Sequence, residues 1–151
     1  MIRLRPETIH GPMTQPVQSP LRLRPELTEL DHVVGYIETF ADQHGLNSGD
    51  TYALTLAAEE LFANTVNHSK PPATLVEFSL AYSGDTAIAT YADDAQPYDP
   101  TQQAAPDTSL PAEMRPIGGL GVHFIRKTME VFQYARQDGR NIVTFTRRLK
   151  R

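Results

Sequence analysis

The sequence contains no cysteine, no excess of positive charge and no long apolar run. Without cysteine there is no disulfide, no thiolate metal site and no thiol nucleophile, a composition that suits a reducing cytoplasm. Lys and Arg number 14 against 18 Asp and Glu, for a formal charge of −4. That balance argues against a general nucleic-acid binder, which needs a basic face to neutralise phosphates. No apolar stretch approaches the roughly 20 residues of a membrane span, and no signal-peptide pattern opens the chain. A cytoplasmic protein with no membrane and no direct nucleic-acid partner is therefore expected. At 151 residues, 40 % apolar and 21 % charged, one soluble domain long enough to bury a core is the simplest organisation.

Periodicity divides the chain. Residues 1–20 hold Pro6, Pro12, Pro16 and Pro20 with little apolar period and are expected to form an extended arm, leaving 21–151 as the domain proper. Arg3-Leu4-Arg5-Pro6-Glu7 recurs as Arg22-Leu23-Arg24-Pro25-Glu26, either by coincidence or as two short strands competing for one sheet edge. Leu30, Val33, Val34, Ile37, Phe40 and Ala41 follow helical spacing and predict a helix over 28–44. Thr28 with Asp31 resembles a capping pair, and Gly45 is the stop. A second helix is predicted over 48–68, halted by Pro71-Pro72.

Beyond the prolines the period falls to two. Strands are predicted at 76–82 and 86–92 around a turn at Ser83-Gly84-Asp85. A proline-punctuated stretch from Pro97 to Pro116 follows as a long loop, a length usually functional or disordered. A helix over 121–129, with Val122, Ile125 and Met129 on one face, precedes a hairpin turning at Asp138-Gly139. The expected architecture is α+β, a two-layer α/β sandwich in which helices cover one face of a mixed, mostly antiparallel sheet.

Four groups of residues carry candidate chemistry. On the second helix Ala53, Ala57, Glu60, Asn64 and Asn67 share a face at three- and four-residue steps. A solvated polar stripe is the bland explanation, but alanines are unusual in one. A carboxylate and an amide four residues apart can instead orient a cation and a reacting hydroxyl. Asn64 would offer a neutral oxygen to Mg²⁺ and Glu60 would remain free to accept a proton; Glu59, on a different face, is the second candidate base. Asp93 and Asp94 stand where an apolar strand meets the loop. Acids there are commonly turn formers, yet one buried carboxylate is also the acceptor needed to recognise an adenine amino group. Gly118-Gly119-Leu120-Gly121 lets backbone N–H groups approach a phosphate at a helix start, although glycine-rich turns before helices are common.

Taken in order, these segments resemble the motifs of the GHKL-type (histidine kinase-like) ATPases. Glu60-Leu61-Phe62-Ala63-Asn64-Thr65-Val66-Asn67-His68 is similar to the N-box, in the variant of the bacterial anti-sigma-factor serine kinases. Asp93-Asp94-Ala95-Gln96-Pro97-Tyr98-Asp99-Pro100 resembles the first glycine box. The segment from Ile117 through Gly118, Gly119, Leu120, Gly121 and Val122 to Met129 resembles the second, and Asp138 through Thr144 to Phe145 the closing hairpin. The resemblance spans about residues 21–149.

It implies a histidine kinase-like ATPase fold and ATP with Mg²⁺ as cofactors. Glu60 would be the catalytic base and Asn64 the metal ligand. Asp93 would accept from the adenine amino group. Ala95, Gly118, Gly119, Leu120, Gly121, Val122 and Thr144 would complete the nucleotide contacts, with residues 101–117 as a lid and Arg115 beside its hinge. It also implies partner switching, in which one protein holds a sigma factor and phosphorylates a STAS-type anti-anti-sigma antagonist, commonly as a homodimer. A two-component histidine kinase is disfavoured, because the chain lacks room for a helical dimerisation domain. One departure stands out: Ala95 occupies a position where the family has Gly. A methyl group there would crowd the base or forbid a positive φ, weakening or abolishing ATP binding. Two alternatives to the kinase follow: a non-catalytic ATP-binding switch module controlling a signalling partner, and a fold relic without ligand.

Overall fold

The first helix forms where the apolar stripe is, over Leu30–His44 (α1), and buries Val33, Tyr36, Ile37, Phe40 and Ala41. In this computed structural model, which describes residues 14–16, 19–104, 109–111, 113 and 120–150, α1 ends at Gly45. That residue adopts a left-handed φ of 65° and returns its N–H to the Ala41 carbonyl, a conformation glycine takes without steric cost. The capping pair expected at Thr28 and Asp31 does not form. Leu27–Glu29 make a 3-10 turn that runs directly into α1, and Glu29 at the N-cap makes no side-chain capping bond. The second helix, α2, spans Ser48–His68, and Asn47 caps it by accepting the Asp50 N–H at 2.7 Å. Ala53, Leu54, Ala57, Ala58, Leu61, Phe62 and Thr65 are buried along it. The stripe through Ala53, Ala57, Glu60 and Asn64 therefore begins in the core and emerges half-buried.

Six strands make one sheet. Thr14–Pro16 (β1) and Leu21–Leu23 (β2) both pair with Val76–Ser83 (β3), which pairs with Thr86–Asp93 (β4). Arg140–Arg148 (β6) lies between β4 and Val131–Gln137 (β5). Every pairing among the described residues is antiparallel, in keeping with the mostly antiparallel sheet under helices expected from sequence. The third helix, α3, spans Leu120–Thr128 between sheet residues. The two short strands take successive stretches of one edge, β1 from the arm against Ala81–Ser83 and β2 at the start of the domain against Val76–Phe78. The second copy of the Arg-Leu-Arg-Pro-Glu repeat thus supplies Arg22 and Leu23 to β2; the first copy lies outside the described residues. The β5–β6 hairpin turns on Asp138 and Gly139, at φ 53° and 75°, the paired left-handed conformation that matches strand twist.

Side-chain parity then fixes what faces the helices. Phe78, Leu80, Ala87, Ala89, Tyr91, Val143 and Phe145 are buried on the inner face and join Phe40, Phe62, Leu54 and Ile37 in one core. Each large side chain so buried contributes roughly 1.5–3 kcal/mol. A polar clamp closes the end remote from the loop. Asp50 is fully buried and pairs with Arg147 at 2.8 Å, while accepting the Lys150 N–H at 2.8 Å. Arg147 also donates to the Thr128 carbonyl, tying β6 to both α2 and the end of α3.

Candidate functional site

Between α2 and the end of β4 lies an open cavity of about 120 Å³. The helix contributes Leu61, Asn64, Thr65 and His68, the strand Tyr91 and Asp93, and the following loop Ala95, Gln96, Pro97 and Tyr98; β6 adds Asn141 and Val143. Three segments distant in sequence meet there, α2, β4 with its following loop, and β6, because β4 and β6 are neighbours and α2 packs across them.

The two adjacent acids have different fates. Strand alternation turns Asp93 inward, where it is buried and lines the cavity. Its Oδ1 accepts the Ala95 N–H at 3.1 Å and Asn141 Nδ2–H at 2.9 Å, and its Oδ2 accepts the Thr65 hydroxyl at 2.7 Å. A carboxylate oxygen accepts about two hydrogen bonds, so Oδ1 is saturated and Oδ2 keeps one lone pair. Asp94 is exposed and ties down the preceding loop through the Thr74 and Leu75 N–H groups and the Thr74 hydroxyl. Its partial burial pushes the carboxyl up, but those hydrogen bonds outweigh it and hold the carboxyl below the usual range. Asp93 is the pocket acid and Asp94 a loop fastener.

Asn141, absent from the sequence-level candidates, organises the floor. It sits opposite Asp93 in the β4–β6 register and is 5 % exposed. Its amide N–H groups go to Asp93 and the Gln96 carbonyl, and its oxygen accepts from the Tyr98 N–H, the Tyr134 hydroxyl and Arg136. Arg136 also donates to the Ala95 carbonyl at 2.7 Å. The loop after β4 is therefore fastened at Ala95, Gln96 and Tyr98. An amide inside a strand is a weak sequence signal, and only the strand pairing gives it meaning. Ala95 itself is not among the residues with positive φ, so the backbone objection to alanine does not apply; its methyl group lines the cavity.

Glu60 is half-buried on α2 and hydrogen-bonded to the Asn64 side chain. An ionised carboxylate only accepts, so the Asn64 NH₂ must donate and its carbonyl oxygen points elsewhere. Burial pushes the Glu60 carboxyl above the usual range, partly offset by the Asn64 hydrogen bond and the His68 charge. The first turn of α3 lies directly on this side chain: a Cβ at Gly121 would overlap Glu60 Oε1, Cδ and Cγ. Gly121 is thus required by Glu60, a contact that spacing alone does not reveal. Tyr98, 48 % exposed, donates to Gln103 at 3.1 Å; burial and the charges of Glu60 and Asp99 push its hydroxyl pKa up. Arg126 on α3 donates to the Thr101 and Gln103 carbonyls and so anchors the start of the long loop.

The remaining sequence candidates divide. Gly118, Gly119 and Arg115 lie outside the described residues, and Leu120 is described only as the first residue of α3. Val122 buries its side chain in the core at 1 % exposure. Thr144 is a correction. Along β6 the buried positions are Asn141, Val143 and Phe145, so the alternation of side chains places Thr144 on the opposite face of the sheet from the cavity. Its strand neighbours Asn141 and Val143 occupy the cavity wall instead.

The site thus sets apart two acids, Asp93 buried in the cavity wall and Glu60 half-buried under the first turn of α3. The chain belongs to the histidine kinase-like ATPase domain family, whose profile matches residues 23–147. No match was found among curated proteins. Among solved structures, the RsbU and RsbW domains of Rv1364c from Mycobacterium tuberculosis are similar in fold, at TM-score 0.58 and 17 % identity. That likeness covers 89 % of this chain and 33 % of the other, so this chain spans about a third of the neighbour's length. Among the described residues, no helix is long and apolar enough to cross a membrane.

The donor set fits the nucleotide that an ATPase domain implies. Asp93 Oδ2 can accept from an amino group, while Tyr91, Ala95 and Val143 supply apolar wall. Among the described residues no cluster of three His, Cys, Asp or Glu side chains is placed to hold a metal. A cation here would fit as Mg²⁺ commonly binds, on one protein oxygen with phosphates and water, and the Asn64 carbonyl, from a residue that lines the cavity, would be the oxygen to hold it.

Proposed function

We propose that the protein is an ATP-dependent serine kinase of the partner-switching kind. Residues 21–151 form the kinase domain and residues 1–20 an arm; it acts in the cytoplasm as a homodimer. In this role it holds a sigma factor and phosphorylates a serine on a STAS-type anti-anti-sigma protein. The carrying observation is Glu60: a carboxylate raised in pKa by burial, bonded to Asn64, and packed under the first turn of α3. A switch that only binds nucleotide has no need of a base so placed.

Bound ATP supplies the phosphoryl group and Mg²⁺ neutralises its charge; the chain positions and moves one proton. Asp93 Oδ2 accepts from the adenine amino group, Asn64 offers its carbonyl to the cation, and Glu60 takes the proton of the attacking serine hydroxyl. Phosphoryl transfer demands mostly such positioning and charge neutralisation. The motif resemblance of residues 60–68 and 93–100 supports the serine-kinase reading, and the fold likeness to an RsbW domain is compatible with it.

The test is phosphate transfer from labelled ATP to a STAS-type protein by wild type, Glu60→Gln and Asn64→Ala, with ATP affinity measured in parallel. Glu60→Gln should keep ATP binding and lose about 10²–10⁴ in rate, whereas Asn64→Ala should lose both. Equal activity in wild type and Glu60→Gln would leave the switch module. A wild type that ATP does not stabilise against heat would remove the nucleotide reading.

A further inference from the structure

Behind the purine-facing acid stands a chain of hydroxyls that the resemblance does not assign. Thr65 Oγ1 lies 2.6 Å from Tyr91 Oη, 2.7 Å from Asp93 Oδ2 and 3.1 Å from the Leu61 carbonyl. One hydroxyl has one proton, so these contacts cannot all be donations. Tyr91 is 4 % exposed and Thr65 is its hydrogen-bond partner among the described residues. If Thr65 spent its proton on Tyr91, the phenolic proton would be stranded in the core and Asp93 would lose a donor. The polarity that satisfies every group runs from Tyr91 to Thr65 to Asp93. Burial keeps the phenol protonated, pushing its pKa well up against the smaller effect of the Thr65 hydrogen bond, with the Asp93 charge adding to the rise.

We propose that Thr65 and Tyr91 are positioning residues for nucleotide selectivity: together they hold Asp93 with one Oδ2 lone pair presented to the cavity, selecting a base with an amino group over one with a carbonyl. This rests on the nucleotide reading of the cavity. Asn141 and the Ala95 N–H fill Oδ1 from the other side, so the carboxylate is fixed at both oxygens and cannot rotate to offer a different edge. Hydrogen bonds in such a buried chain polarise one another, which gives Tyr91 influence at a ligand it reaches only through Thr65.

The experiment measures ATP and GTP affinity by calorimetry on the full chain, with thermal melts of every variant. Thr65→Val should weaken ATP about tenfold, the effect of a lost hydrogen bond to a charged group, and shrink the ATP-to-GTP preference. Thr65→Ser, which keeps the hydroxyl, should restore both. Tyr91→Phe should move affinity and preference the same way by a few-fold. Because Thr65→Val alone strands the buried phenol, the double variant Thr65→Val with Tyr91→Phe serves as the well-folded control and should match Thr65→Val in nucleotide preference. A preference unchanged in both Thr65→Val and the double variant, whatever the melting temperatures do, overturns the proposal. So does a Thr65→Ser variant no better than Thr65→Val. A wild type that binds neither nucleotide overturns the nucleotide reading and the role of this pair together.

Discussion

Substituting Gly121 by alanine separates two explanations of the glycine cluster. In the structure the space a Cβ would take is filled by Glu60 Oε1, Cδ and Cγ, all in the outer part of a flexible side chain. The helix backbone therefore stays and Glu60 moves. Alanine in a helix is favoured over glycine by about 1 kcal/mol, and forcing Glu60 off its rotamer costs about 0.5–1.5 kcal/mol. Stability should change by less than about 1 kcal/mol, a melting shift of a few degrees for a chain of this size. Catalysis should not be spared: a displaced base costs about 10²–10⁴ in rate. ATP affinity, which the proposed roles assign to Asp93 and Asn64 rather than to Glu60, should stay within about threefold, a difference of less than 1 kcal/mol. A double-mutant cycle completes the test, since Glu60→Ala empties the space and Gly121→Ala should then leave activity unaltered while adding stability. The assay is phosphate transfer with parallel ATP titration and melting of the four proteins. If Gly121→Ala weakens ATP equally with and without the Glu60 side chain, the glycine serves the phosphates and the reasoning fails.

Three further outcomes are expected. Ala95→Gly should cost about 0.4–1 kcal/mol of stability through the unfolded chain and change ATP affinity less than twofold, because residue 95 does not need a positive φ; a tenfold gain in affinity would show the methyl group to be an obstruction. Asp50→Ala strands Arg147 at the clamp between α2 and β6 and should lower stability by about 3–5 kcal/mol, measured by urea unfolding, with a loss below 1 kcal/mol counting against it. For Glu60 the folded pKa lies above the usual glutamate value because of burial, so the folded state favours the protonated form. Its contribution to stability is full below the unfolded pKa and is lost as pH rises through the raised one. Wild type should then fall progressively below Glu60→Gln in melting temperature across that window, while phosphotransfer rises with pH over the same range. A constant difference between the two proteins would contradict the burial argument.

What the sequence determined by itself is local. The spacing of Val33, Ile37 and Phe40, the stop at Gly45, the helix over 48–68, the alternation in β3 and β4, and the Asp138-Gly139 turn are each set by neighbours within a few residues. So is the order of the motifs that places the chain in its ATPase family. Local rules fail even at short range when a neighbouring element intrudes, as when the Leu27–Glu29 turn displaces the expected Thr28 cap. What the tertiary structure alone decided is which side chains meet. Asp93 rather than Asp94 is the pocket acid because parity along β4 turns it inward. Thr144 misses the cavity and Asn141 enters it because β6 pairs with β4 in one register, and a shift of one residue exchanges the two faces. Gly121 is needed by Glu60, and Thr65 by Asp93, because α3, α2 and β4 converge across 28 to 61 residues of chain. Those contacts arise from packing a helical layer on a sheet, which sets distances between segments that no local pattern encodes.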